Sequence, residues 1–490
     1  MSTKTQPPTS TSPAHQDEHG LRLAANSIGF VRNLAQPIAV SGPTAGTAVM
    51  AAVMASVTRT PGPVSFALGI AAGALLVHVF VRLARRFESA GGSYFLAGVI
   101  AGVRTAVVVG LLYCFTLLLS SGGIAVNFGG LAANAANTLT GVDVPWPVFT
   151  ALATVLATVL ALGPVKWFTS VIAIIETLGF ISLITLGVVV LTSAAMHGQD
   201  VWAAFSLTGY QPSQVFLGVV VAFSSFGGFE GGLVLSEETK NNKRVIPRGM
   251  WTALLLSGCT YTFASWFQFV GFGSVEKLAA QGVPMLTLAT AHFGTVVAFL
   301  MNCTVMIAGL AAVSACLGGG ARVAFAMIRD GLAPRSWAAL SRRTHVPTKL
   351  VLFGTAMCLV AWVPLAFSGL DDATAFAYVT TTTAFGTTLI YLIVSAASIV
   401  WFARLREWGT TLVALLGAAV TGYTLFSSVY PFQPGTLGRL PVIAGCFLAA
   451  AVLFALLAGP LVRRVRASPY WVVAREERAR VLAEVSTARD

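Results

Sequence analysis

Two carboxylates, Glu176 and Glu230, stand inside long apolar stretches of this chain. An ionisable group at that depth in hydrocarbon is costly, so each is a functional candidate by default. Glu230 sits in the cluster Ser225-Phe226-Gly227-Gly228-Phe229-Glu230-Gly231-Gly232, and a second cluster, Ser41-Gly42-Pro43-Thr44-Ala45-Gly46, interrupts an earlier apolar run. Where a helix unwinds inside a membrane, its backbone groups lose their intrahelical partners and no water replaces them. A polar ligand can. Half-helix amino termini suit a carboxylate, while half-helix carboxy termini and unwound carbonyls suit an ammonium group or a cation. An α-amino acid offers both groups.

Pro43 lacks an N–H and its ring crowds the carbonyl four residues earlier, which frees that oxygen. Thr44, Ala45 and Gly46 can present N–H groups at the start of the next half-helix, and glycine lets a ligand approach the backbone. The plainer reading is a proline kink with glycines for close packing, against which two matched clusters weigh. Glu230 reads either as an acceptor for N–H groups of its own unwound segment or as a substrate contact whose protonation couples to gating. Glu176 reads either as a proton carrier or as a neutral, hydrogen-bonded acid that fixes packing. His78 and His292 lack a metal-ligand partner at i+4 and read as structural or interfacial. The six cysteines form no CxxC pair and read as packing residues. Neither HExxH nor a nucleophile with its base is present, so no metal, no cofactor and no enzymatic activity are expected.

These residues must be positioned by helices in lipid. Of 490 residues only 10% are charged and 56% are hydrophobic, which excludes an ordinary soluble enzyme. Apolar runs predict twelve transmembrane helices near 30–57, 62–83, 103–127, 146–162, 166–193, 213–236, 249–272, 289–326, 349–368, 373–402, 411–429 and 440–463. The eighth is too long for a hydrocarbon thickness of ~30 Å unless tilted or extended beyond the bilayer, and its charged end from Arg322 favours extension. The net charge of +12 is spread between spans rather than gathered in a groove, so nucleic acid is not an expected partner. Arg82, Arg85 and Arg86, then Lys240, Lys243, Arg244 and Arg248, then Arg329, Arg335, Arg342, Arg343 and Lys349 follow the second, sixth and eighth spans. The opposite loops hold only Arg59, Lys277 and Arg439, so both termini are expected in the cytoplasm. The first run lacks a convincing cleavage site and reads as a retained helix. Gly69 and Gly73 form a GxxxG match that reads as packing. Gly318-Gly319-Gly320 is not a phosphate loop.

The two clusters fall in spans one and six. A repeat of five helices would begin its second copy from the opposite side, which gives an inverted repeat with the substrate at the paired breaks. The stretch Gly228-Phe229-Glu230, continuing through Ser236-Glu237-Glu238-Thr239-Lys240-Asn241-Asn242-Lys243-Arg244-Val245-Ile246-Pro247-Arg248, resembles the sixth-span signature of amino acid-polyamine-organocation permeases. Ser89-Ala90-Gly91-Gly92-Ser93-Tyr94 is similar to that family's segment before helix three, and Arg322 through Pro334 to the end of its helix eight. The resemblance runs from about residue 30 to 465.

It implies an all-α membrane protein of twelve helices: a five-plus-five inverted repeat, as in the leucine-transporter-like fold, plus two added helices. The domains are then a disordered cytoplasmic tail (1–29), two repeats (30–202 and 203–402), helices eleven and twelve (403–466) and a cytoplasmic carboxy-terminal tail (467–490). The resemblance also implies substrate at the breaks, an aromatic cap for which Phe223 and Phe226 are candidates, and a titratable residue on helix five, a place Glu176 fits loosely. The first break departs from the family's Gly-Ser-Gly pattern, so its carboxylate contacts are placed only by region. The expected function is secondary transport of amino acids across the cell membrane, the inner membrane of a bacterium, with the proton as coupling ion. The substrate site is expected at Ser41 to Gly46 with Phe223, Ser225, Phe226, Gly227 and Gly228, with Glu176 or Glu230 expected to respond to protonation. The alternative is an amine or polyamine exchanger of the same fold. A sensor would use the same residues, whereas a channel lacks a selectivity-filter sequence.

Overall fold

The computed structural model describes residues 23–87, 91–430 and 439–487. Residues 1–22 of the expected tail, and Ser89 and Ala90 of the second signature, lie outside these. The first apolar run is split into α1 (Phe30–Ser41), α2 (Pro43–Gly46) and α3 (Met50–Thr58), and α4 (Pro63–Arg86) is the second. A short apolar helix, α5 (Ser93–Ala101), precedes α6 (Val103–Thr140), α7 (Trp146–Ala161) and α8 (Val165–Met196). The sixth run is α9 (Pro212–Ser225) continued by a 3-10 segment, Phe229–Glu238, and is followed by α10 (Asn242–Phe272) and α11 (Val275–Ala279). Then come α12 (Pro284–Arg329), α13 (Thr348–Phe367), α14 (Asp372–Arg404), α15 (Trp408–Val429), α16 (Leu440–Leu457), α17 (Gly459–Ala467) and α18 (Pro469–Thr487).

Among the described residues nine helical runs are long and apolar enough to cross a membrane, and the bent first run, turned by 67° between Gly46 and Met50, makes a tenth. Two further expected spans differ in kind. The 16 residues of α7 are apolar but short, at about 24 Å for a ~30 Å hydrocarbon core. α10 is long enough, but Lys243, Arg244 and Arg248 in its first turns and the Ser, Thr, Tyr and Gln residues along it lower its hydropathy. The over-long eighth run has a cause that its length alone did not reveal: Gly294, at φ 78° and ψ 172°, breaks it. The part after Gly294 still runs about 50 Å, so it also extends past a bilayer.

The faces of α8 show how the chain meets lipid. Ile174, Leu178, Ile181 and Val188 are at least half exposed along one stripe, while Glu176, Gly179, Leu183, Leu186 and Val190 are buried on the other. An apolar outer stripe with the acid turned inward is what a multi-pass membrane protein requires. α6 packs against α12 and α14, and α10 against α4. Gly69 and Gly73 of α4 do the packing expected of them: a Cβ on Gly69 would lie 2.7 Å from that of Ala222, and one on Gly73 2.7 Å from Leu254 Cδ1.

Both ends of the described chain are tied down. Residues 26–28 bond to the end of the 3-10 segment, through the Ser27 and Ile28 N–H groups to the Glu238 carbonyl at 2.8 and 3.0 Å. Leu23 and Ile28 are buried, so the part of the expected tail from 23 to 29 is anchored on the body at these two residues. At the other end α18 seats Trp471, which is 1% exposed. Between α14 and α15, Glu407 receives hydrogen bonds from Arg82 and Arg86 at the end of α4. Burial works to raise this carboxyl, but the two arginines outweigh it and hold Glu407 below its ordinary range.

Candidate functional site at the two helix breaks

The first break begins where Gly42 takes the left-handed conformation, at φ 52° and ψ 46°, and its N–H closes α1 on the Ile38 carbonyl at 2.8 Å. Pro43 then opens α2 at a position where its missing N–H costs nothing. The Ala39 carbonyl, freed by the proline, and the Thr44 and Ala45 N–H groups have no partner among the described residues, whereas the Gly46 N–H, also expected to be open, donates to the Gly42 carbonyl at 2.7 Å. Other freed groups are satisfied by the protein. Tyr261 reaches the Ser41 carbonyl at 3.5 Å, Thr47 Oγ1 donates to the Thr44 carbonyl at 3.0 Å, and Gln268 donates to the Thr47 carbonyl at 2.8 Å. Gly46 makes room for Tyr261, because a Cβ there would fall 2.2 Å from its hydroxyl.

α2 is held against α8 by the first of the two acids. Thr44 Oγ1 donates to Glu176 Oε2 at 2.7 Å, and a Cβ on Gly179, one turn on, would touch Thr44 at 3.0 Å. Glu176 Oε1 is buried with no hydrogen-bond partner among the described residues. Thus the acid on α8, the expected fifth span, touches the first break directly.

The second break is Phe226 to Gly228, with Gly228 at φ 104°. Its 3-10 continuation lies along α1 at a distance only glycine allows: Cβ atoms on Gly228, Gly231 and Gly232 would meet Val40 Cγ1 at 2.6 Å, Pro37 Cα at 3.2 Å and Asn33 Oδ1 at 2.8 Å. Asn33, Pro37 and Val40 share one face of α1. The two breaks therefore adjoin, and the close-packing role of the glycines holds alongside any ligand role. Tyr391 of α14 bridges the second break, donating to Glu230 Oε2 at 2.6 Å and accepting from the Gly228 N–H at 3.1 Å. Tyr113 lies beside the same carboxyl without a well-formed hydrogen bond.

Accessibility separates the sequence candidates into two groups. Ser41, Gly42, Gly46, Ser225 and Gly227 are half-buried and their neighbour Ser224 is exposed, so small residues leave some backbone at the breaks partly accessible. Pro43, Thr44, Ala45, Gly228, Glu176 and Glu230 are buried. Phe223 is buried, and Phe226 is packed against Phe66 and Tyr261, with ring centroids 6.3 and 6.1 Å away. Ser257, whose hydroxyl lies 3.0 Å from that of Ser41, completes the set, together with Tyr261, Tyr391, Asn33 and Gln268. Sequence reasoning did not select these five. Asn33 and Gln268 carried a usable signal, since neutral amides in apolar spans also need partners.

The geometry distinguishes the two strained glycines. Gly228→Ala is expected to lose about 1–3 kcal/mol, because its Cβ meets Val40 and, at 2.9 Å, the Ser41 nitrogen. A Cβ in Gly42→Ala would lie 3.7 Å from the Ala39 carbonyl oxygen, an ordinary contact, so this variant should lose only the ~1–2 kcal/mol of a left-handed non-glycine residue. Melting of the two purified variants by size-exclusion survival checks this; equal melting would show that the α1 contact carries no strain.

The amino acid permease family matches residues 34–456 of this chain. "Cationic amino acid transporter 4, vacuolar" of Arabidopsis thaliana is 28% identical over 330 residues, 63% of this chain and 54% of that protein. "Low-affinity putrescine importer PlaP" of Escherichia coli K12 is 32% identical over 149 residues, 29% of this chain and 32% of that protein. "D-serine/D-alanine/glycine transporter" of the same bacterium is 26% identical over 257 residues, 50% of this chain and 53% of that protein. The chain spans about half the length of the vacuolar and mitochondrial plant relatives it matches. With paired breaks between apolar helices and a family match over most of its length, the chain belongs to the amino acid permease family.

Proposed function

We propose that this protein is a secondary transporter that carries amino acids across the cell membrane by alternating access, driven by protons. The observation that carries the reading is the contact between the breaks and the acid: Thr44 of α2 donates to Glu176 while Gly228 packs on Val40 and Ser41. A substrate carboxylate suits the unpartnered Thr44 and Ala45 N–H groups, and its ammonium group suits the Ala39 carbonyl. The half-buried small residues between them let a ligand reach that backbone. In this reading twelve helices form two inverted five-helix repeats with two added helices, both termini are cytoplasmic, and the membrane is a bacterial inner membrane.

The names of the plant and putrescine relatives favour a cationic amino acid or a polyamine as substrate, which fits the second reading, an amine or polyamine exchanger, in its substrate alone. Glu230 would then attract the added charge, although Tyr391 already holds one of its oxygens. Uptake of radiolabelled neutral, acidic and cationic amino acids and putrescine into liposomes, with and without a proton gradient, separates the readings. Gradient-driven accumulation of an amino acid is expected. Uptake only into preloaded liposomes would make the protein an exchanger, and binding without uptake would overturn transport.

A further inference from the structure

The carboxy-terminal helices build a second site on the Arg- and Lys-rich face. Trp471 of α18 plugs into α5: its ring stands edge-on to Tyr94 at 5.8 Å, and a Cβ on Gly98 would lie 2.0 Å from it. Its Nε1–H donates to Asp330 Oδ2 at 2.9 Å, so the plug is satisfied on its inner side. On its outer side lies a cavity of about 660 Å³, within the size range of small-molecule sites. Arg104 at the start of α6, Arg463 and Arg466 of α17, and Arg475 and Arg478 of α18 line it. Glycine, alanine and valine make up the rest of the wall apart from Trp471, and among the described residues no acid lines it.

These arginines have donors to spare. Arg475 uses two nitrogens on the Trp471 and Arg466 carbonyls, at 3.2 and 3.1 Å, and Arg478 lies 5.4 Å over the Trp401 ring. None of the five has a carboxylate partner among the described residues. Five guanidinium groups around one cavity repel each other unless an anion neutralises them, and planar forks match phosphate oxygens well. The flank names the source of the phosphate. Leu457, Val472 and Val473 are 74%, 37% and 52% exposed beside the arginines, and α17 leaves directly from the last apolar span. A basic cluster with apolar neighbours at a span end suits the surface of an anionic leaflet.

We propose that this cavity binds the phosphate headgroup of an anionic phospholipid, which bridges α6, α17 and α18 and so holds the carboxy-terminal helix on the body of the protein. The test is amide exchange of residues 469–487 in the full-length protein, in vesicles of phosphatidylcholine alone or mixed with phosphatidylglycerol. Phosphatidylglycerol should slow exchange about tenfold when present at ~10 times its dissociation constant. The triple variant Arg463→Gln, Arg466→Gln, Arg475→Gln should lose that protection, while Arg342→Gln with Arg343→Gln on another basic loop should keep it. Equal exchange in both lipids overturns the site, as does protection that survives the triple variant. Equal protection by inorganic phosphate in phosphatidylcholine vesicles overturns the lipid as its ligand.

Discussion

Glu176→Gln is expected to cut accumulation driven by a proton gradient about tenfold or more while leaving counterflow in preloaded liposomes, since one order of magnitude needs a bias of only ~1.4 kcal/mol between states. The amide keeps the shape of the acid and can still accept from Thr44 Oγ1, the bond that ties α2 to α8. It cannot release a proton. A carboxylate accepts that hydroxyl more strongly than a neutral oxygen does, by roughly 1 kcal/mol or somewhat more, so protonation loosens the hold on the first break. Glu176 Oε1 has no hydrogen-bond partner among the described residues, so it is the oxygen left free to carry a proton. Thr44→Val removes the same hydrogen bond without touching the acid, and it should weaken accumulation less. Unchanged accumulation by folded Glu176→Gln would remove the proton role. Loss of counterflow as well would make Glu176 a packing acid, the plainer of its two sequence readings.

The breaks were legible because their causes are local. Gly42 and Gly228, with their left-handed backbone, and Pro43, at the start of α2, act on their own residues, and glycine or proline inside an apolar run announces itself. The partners that complete the breaks are not local. Tyr391 meets Glu230 across 161 residues, Tyr261 meets Ser41 across 220 and Gln268 meets Thr47 across 221, and nothing in one stretch of sequence carries such a pairing. Gly294 escaped for the opposite reason: one glycine amid apolar residues looks like the many that merely pack, and only its φ of 78° distinguishes it. Likewise α5 fell between the expected second and third spans, and α18 within the expected carboxy-terminal tail, because the contacts that seat Trp471 come from α5 and the end of α12.

Glu238 was visible only as a letter of a family signature, and Arg322 only as such and as the charged end of the eighth run, yet the structure makes them a costly pair to break. Glu238 ends the 3-10 half of the sixth span and is 1% exposed; Arg322, on α12, is 3% exposed. The fork is bidentate, with Nε to Oε2 at 2.8 Å and Nη2 to Oε1 at 3.2 Å, and the remaining Nη1 donates to the Gly318 carbonyl at 3.1 Å. Removing either partner leaves a charge buried without its counterion, which costs about 3–5 kcal/mol. Arg322→Met and Glu238→Gln should therefore each deplete folded protein on size exclusion and lower its melting. Removing both charges together with Glu238→Leu and Arg322→Met should restore most of that loss, because two desolvated charges are replaced by packed apolar volume. A double variant no more stable than the singles would show that the pair contributes by its hydrogen bonds to backbone rather than by mutual neutralisation. If the double variant folds but transports slowly, the same ion pair links the sixth and eighth spans in a state the cycle must reach, since an apolar replacement keeps the contact yet removes its charge-assisted geometry.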